Sequence, residues 1–287
     1  MVKTSLIYVF VVLISNLSLA SIIQTTQSGN WTDSNTWING IQPCQTDSVI
    51  INKGDTVFIN SSFAQSFHLK NKGVIYFKSQ TNFLKCIETN FESGEITGTS
   101  LGTFHTESIT FSKKSILGKC HLDVSNNVKI NDSLTITSAN GTKHFGDFTN
   151  NGTLLNNANE DINLSGYFEN YGQIKFNQGT ITFLRPAVIS GKLSVAELKL
   201  TDSLIVLGSL TVLDEISGTG ELVNKGIVQL GMMNSNFKID SLNLIFPGNE
   251  LHLIRNGEQK MPIASFKTAK KVVFSGRGTF NINNYLF

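Results

Sequence analysis

The chain has 287 residues, a formal net charge of +2, 15% charged residues and only three arginines, Arg185, Arg255 and Arg277. Charge this sparse and balanced excludes the concentrated basic face that nucleic-acid binding needs, and argues against arginine forks for phosphates or polyuronates. Three cysteines, Cys44, Cys86 and Cys120, are an odd number and no disulfide framework; they read either as one bridge with one buried thiol or as three small buried apolar residues.

Residues 1–20 read as a secretory signal peptide. Lys3 supplies a positive start, Leu6 to Ile14 is an unbroken apolar run, and Ser18-Leu19-Ala20 is a small-x-small cleavage site. The run is too short for a good membrane span, and no later stretch reaches ~18 apolar residues, so no span is expected after signal removal. The mature chain is expected to start near Ser21, secreted or at the cell surface, with enough residues for a sizeable core.

Residues 21–53 hold both tryptophans, Trp31 and Trp37, six residues apart among Asp, Asn, Gly and Pro. They stand just before an alternating apolar run. Two readings arise: a plug on the end of something long, or a carbohydrate-contacting surface.

From residue 54 to 287 a frame recurs, Gly-x-apolar-x-apolar. Its copies begin at Gly73, Gly172, Gly191, Gly208 and Gly226, with Gly118 and Gly278 fitting the frame and Gly54, Gly94 and Gly152 starting weaker copies. Gly152, Gly172, Gly191, Gly208 and Gly226 are spaced by 20, 19, 17 and 18 residues, and Asp132 takes the slot 20 before Gly152. Each copy alternates apolar and polar residues, as a strand with one buried face does. Asn often precedes the glycine, as in Asn71-Lys72-Gly73, Asn151-Gly152, Asn170-Tyr171-Gly172 and Asn224-Lys225-Gly226. Both residue types tolerate the positive φ of a tight corner, so these glycines are expected to be left-handed corners.

Corner, strand and a period near 19 residues predict an all-β fold: a single-stranded, right-handed parallel β-helix of about ten coils, a rod of roughly 50 Å. A β-sandwich also has recurrent strands, but no reason to repeat one frame at one period. A solenoid leaves an open core and a strand edge at each end. Trp31 and Trp37 lie where an N-terminal cap must sit and are large enough to cover it.

The same stretch resembles the start of the G8 domain and related Bacteroidetes-type β-helical surface proteins. The resemblance rests on Gly29-Asn30-Trp31, Trp37, Gly40-Ile41-Gln42-Pro43, Asp47, Val49-Ile50-Ile51 and Gly54-Asp55-Thr56-Val57. It covers about 32 residues and implies an extracellular β-helix, adhesin-like in many bacterial relatives and linked to hyaluronan metabolism in some others.

The polar residues point to no catalyst or cofactor. His68, His105, His121, His144 and His252 have no metal-ligand spacing and read as satisfied surface histidines. Asp33-Ser34-Asn35 reads as an ordinary Asx-turn rather than a calcium-binding loop. Carbohydrate-active β-helices need clustered carboxylates on adjacent coils. The candidate pairs, Glu92 with Glu95, Glu160 with Asp161, and Asp214 with Glu215, do not share one slot of consecutive copies. The expected function is therefore a structural, adhesin-like protein that binds extracellular polysaccharide or a cell-surface protein. The alternatives are a polysaccharide lyase or hydrolase, and a carbohydrate-binding module.

Overall fold

The computed structural model describes residues 20–138, 141, 143–231, 237–238, 241–243, 250–254, 259–260, 271–274 and 280–281. Residues 1–19 of the expected signal peptide and the start of the last copy, Gly278, lie outside the described residues. Within them the chain is all β, wound as a parallel β-solenoid.

One ladder of parallel strands begins at Gly29–Asn30 and runs through Thr56–Ile59, Val74–Phe77, Glu95–Gly98, Ser115–Leu117, Ser133–Ile136, Thr153–Asn156 and Gln173–Phe176. It continues through Lys192–Leu200, Ser209–Gly218, Ile227–Leu230 and Glu250–Leu253 to Lys271–Phe274. A second ladder runs from Ile22–Gln24 and Ser48–Ile51 through the long strands Ala64–Asn71, Phe83–Phe91, Thr103–Phe111, His121–Ile130 and Lys143–Asn150. Each long strand bends in its middle. Beyond Asn150 the bend becomes a break, and two separate strands, Ile162–Leu164 and Phe168–Asn170, continue the two halves.

The period-2 alternation of the sequence carries over directly. Residues stacked in register alternate between core and solvent, so a like residue sits above a like residue. Ile174, Leu193, Leu210 and Val228 are successive partners, each at most 1% exposed. Parallel pairing to the turns on either side satisfies the backbone groups of each coil.

The corner glycines are required for a different reason than positive φ. Among Gly54, Gly73, Gly152, Gly172, Gly191, Gly208 and Gly226, only Gly54 is left-handed, at φ 93°. At the others the backbone of the previous coil passes too close for a side chain. A Cβ on Gly172 would stand 2.0 Å from the Gly152 carbonyl oxygen, and one on Gly191 2.1 Å from that of Gly172. Gly172→Val is accordingly expected to cost about 1–3 kcal/mol by overpacking, read as a lower urea midpoint. An unchanged midpoint would mean that the coils part freely at this corner.

Two further expectations are corrected. The Gly118 frame is not a copy of the first ladder: Gly118 follows the strand Ser115–Leu117, and His121 opens a long strand. The corner asparagine before Gly152 is Asn150 rather than Asn151. Asn71, Asn150, Asn170 and Asn224 lie two residues before a corner glycine and are buried. The side-chain Oδ1 atoms of Asn71, Asn150 and Asn224 accept from the N–H of Gly73, Gly152 and Gly226. The Asn150 amide donates to Asn170 Oδ1 at 2.8 Å, tying one coil to the next.

At the N-terminal end, Trp31 and Trp37 meet edge to face with centroids 5.2 Å apart. Trp37 Nε1 donates to the Trp31 carbonyl at 2.8 Å. Both rings belong to the same apolar core as Ile23, Val49, Ile51 and Val57, and are 1% and 2% exposed. Neither offers a face on which a sugar could stack.

Candidate functional site

The outward residues of the bent strands form a groove of about 470 Å³. Its walls are two rows at alternate positions: Ser48, His68, Glu88 and Ser108 in one, and Ile50, Lys70, Asn90 and Thr110 in the other. His68 Nδ1 lies 3.0 Å from Glu88 Oε2 across adjacent coils. Lys70 Nζ lies 2.8 Å from Glu92 Oε1, and this lysine holds the Glu92 carboxyl below its ordinary range. The groove therefore offers hydroxyls, an amide, the His68–Glu88 contact and the Lys70 side chain, beside the apolar residues Ile22, Val49, Ile50 and Leu69.

A second concavity, of about 380 Å³, lies beside the loop Gln42 to Thr46. Phe63, 68% exposed, lines it together with Gln65. Phe83 of the next coil stacks on Phe63 with centroids 6.2 Å apart and planes 21° apart, and does not line the cavity. Trp31 is also among its lining residues.

The five expected surface histidines are placed as follows. His68 pairs with Glu88, His105 Nδ1 lies 2.8 Å from Asp123 Oδ2, and His252 Nε2 lies 2.8 Å from Glu250 Oε2. His144 is exposed and stands beside Asp123 in register, while His121 faces outward on the Asp123 strand. Among the described residues no three His, Cys, Asp or Glu side chains converge as a metal site. Asp33 accepts from the Asn35 N–H at 2.9 Å, the expected Asx-turn.

In the candidate pairs Glu92–Glu95 and Glu160–Asp161, three of the carboxylates are engaged elsewhere. Glu92 is bound to Lys70, and Asp161 accepts from the Thr180 N–H at 2.8 Å. Glu160 points into the core, where its Oε1 lies 3.2 Å from Lys143 Nζ. Lys143 is fully buried and occupies a row of inward residues otherwise filled by Phe104, Leu122, Ile162, Ile181 and Leu198. Its ammonium also donates to the Cys120 carbonyl at 2.8 Å. Alternation alone gives no sign of this pair, because a lysine in an apolar slot reads as a break in the pattern.

The three cysteines are free; Cys86 and Cys120 are buried, but Cys44 is exposed, against the expectation that all three are buried or two are bridged. Burial pushes both inner thiols up to about 12 from 9.0. A raised thiol stabilises the fold fully below the unfolded value and loses that contribution as pH rises through the folded one. The fold should therefore weaken between pH 9 and 12, and a disulfide reagent at pH 8 should modify Cys44 alone in the native protein, since the thiolate is the nucleophile. Rapid modification of two or three thiols would contradict the burial.

Fold and surface together define the class: a parallel β-solenoid with an apolar core and polar, grooved outer faces. No protein-family model, curated protein or solved structure matches the chain.

Proposed function

We propose that the protein is a secreted β-solenoid presented at or beyond the cell surface, a structural or adhesin-like protein that binds extracellular polysaccharide or a cell-surface protein without catalysis. The groove along the bent strands is the observation that carries this reading: it offers hydrogen-bonding groups at the coil repeat, ~4.8 Å, and Glu88 is the one carboxylate among its lining residues. A glycosidase needs two carboxyl groups flanking one bond. Secretion is supported by the Lys3 to Ala20 pattern, and an extracellular role by the G8-like residues Gly29 to Val57. The Trp31–Trp37 turn is read as the cap that closes the N-terminal end.

The test is a glycan array with the mature protein from Ser21, followed by product analysis on each hit. Binding with the glycan left intact is expected. Release of shorter or unsaturated oligosaccharides would replace this reading with the enzymatic one. Failure to bind either glycans or cell surfaces would sink it.

A further inference from the structure

The cavity beside Phe63 has the chemistry of a sugar site, and we infer that it holds one pyranose unit of a neutral glycan. The inference deepens the surface-binding reading and rests on it. Three observations converge. First, the volume, about 380 Å³, falls within the ~300–1,000 Å³ of small-ligand pockets. Second, Phe83 backs Phe63, so the phenyl that borders the cavity is held flat while remaining mostly exposed. An exposed aromatic face is what the apolar C–H face of a sugar ring packs against. Third, the polar lining is Gln42, Gln45, Gln65 and Thr46. Each amide carries both donor and acceptor, the complement of neighbouring hydroxyls. None of the lining residues is acidic or basic, so nothing there favours a uronate, a sulfate or an amino sugar.

Cys44 lines the same cavity and supplies a reporter. The rate of its alkylation by iodoacetamide is measured on the mature protein with maltotetraose, cellotetraose, mannotetraose or β-1,4-galactotetraose, and with trigalacturonate as the charged comparison. At least one neutral probe should slow Cys44 modification about tenfold at about ten times its Kd. Phe63→Ala should abolish that protection and Gln45→Ala weaken it, with melting temperatures unchanged because Phe63 is exposed. The inference is overturned if no neutral probe protects, if trigalacturonate protects equally, or if protection survives Phe63→Ala. Array binding without Cys44 protection removes this site and leaves surface binding intact. No array binding and no protection removes both.

A separate observation concerns processing. Asp47 is 4% exposed, its Oδ1 accepts from Ser21 N at 3.0 Å and its Oδ2 from Cys44 N at 2.8 Å. The expected cleavage after Ala20 turns that same Ser21 nitrogen into an α-ammonium. The geometry points to a processing-linked lock: removal of the signal peptide converts an amide hydrogen bond into an ion pair with a buried carboxylate and fastens the first strand. Pairing raises the ammonium's folded pKa. Its contribution is then complete below the unfolded value, ~7.7–8.0, and is lost as pH rises through the folded one. Thermal melts at pH 6 compare the chain beginning at Ser21 with the same chain retaining Ala20. The Ser21 form should melt higher, the gap should close by pH 10, and Asp47→Asn should erase it. Equal melting of the two forms at pH 6, or a gap that survives Asp47→Asn, would refute the lock.

Discussion

Lys143→Met alone should destabilise the solenoid by about 3–5 kcal/mol, whereas Lys143→Met combined with Glu160→Leu should be neutral or stabilising. The single change removes the cation from beside a carboxylate that is 2% exposed. It also removes the donor to the Cys120 carbonyl. The double change removes both desolvation penalties and leaves a row of apolar side chains at nearly the original volume. Urea midpoints of the wild type and the two variants decide the matter. Solenoids can unfold in segments, so hydrogen exchange around Leu122 and Ile162 should accompany them. A single variant as stable as the wild type would mean that the pair is not an interior ion pair.

Truncation of Trp31 or Trp37 to Ala should cost about 3–5 kcal/mol, the range for large buried aromatics. Either change opens a cavity in the core to which both rings belong. Trp37→Ala also leaves the Trp31 carbonyl without its indole donor. The rings touch, so the double variant should cost less than the two single losses added together. On the proposed cap reading, the coil containing Thr56–Ile59 should exchange its amides first and self-association should rise. In the native protein, iodide should quench tryptophan fluorescence weakly. Strong quenching of both residues would contradict their burial.

How much of this was legible beforehand differs between fold and site. Alternation and the glycine period are local properties, and they led to the right ladder for Ile174, Leu193, Leu210 and Val228. The same glycines were read for the wrong reason. Positive φ is a property of one residue, while the contact between Gly172 and the Gly152 carbonyl exists only once two coils have stacked. Asn150 and Asn151 are alike as letters; which one turns inward follows from the strand that ends at Asn150.

The candidate sites were less legible still. Trp31 and Trp37 stand out by rarity and proved buried, while Phe63, an exposed aromatic, is one of 20 phenylalanines with nothing local to mark it. Its role depends on Phe83 behind it and on the loop Gln42 to Thr46 beside it. By itself the sequence determined the period, the inward face of each strand and hence a parallel β-solenoid, because side-chain alternation and corner spacing act along the chain. Only the tertiary structure decided that Lys143 meets Glu160, that Ser21 reaches Asp47 and that Phe63 borders a cavity, because those encounters depend on how many residues each turn takes before the chain returns above itself.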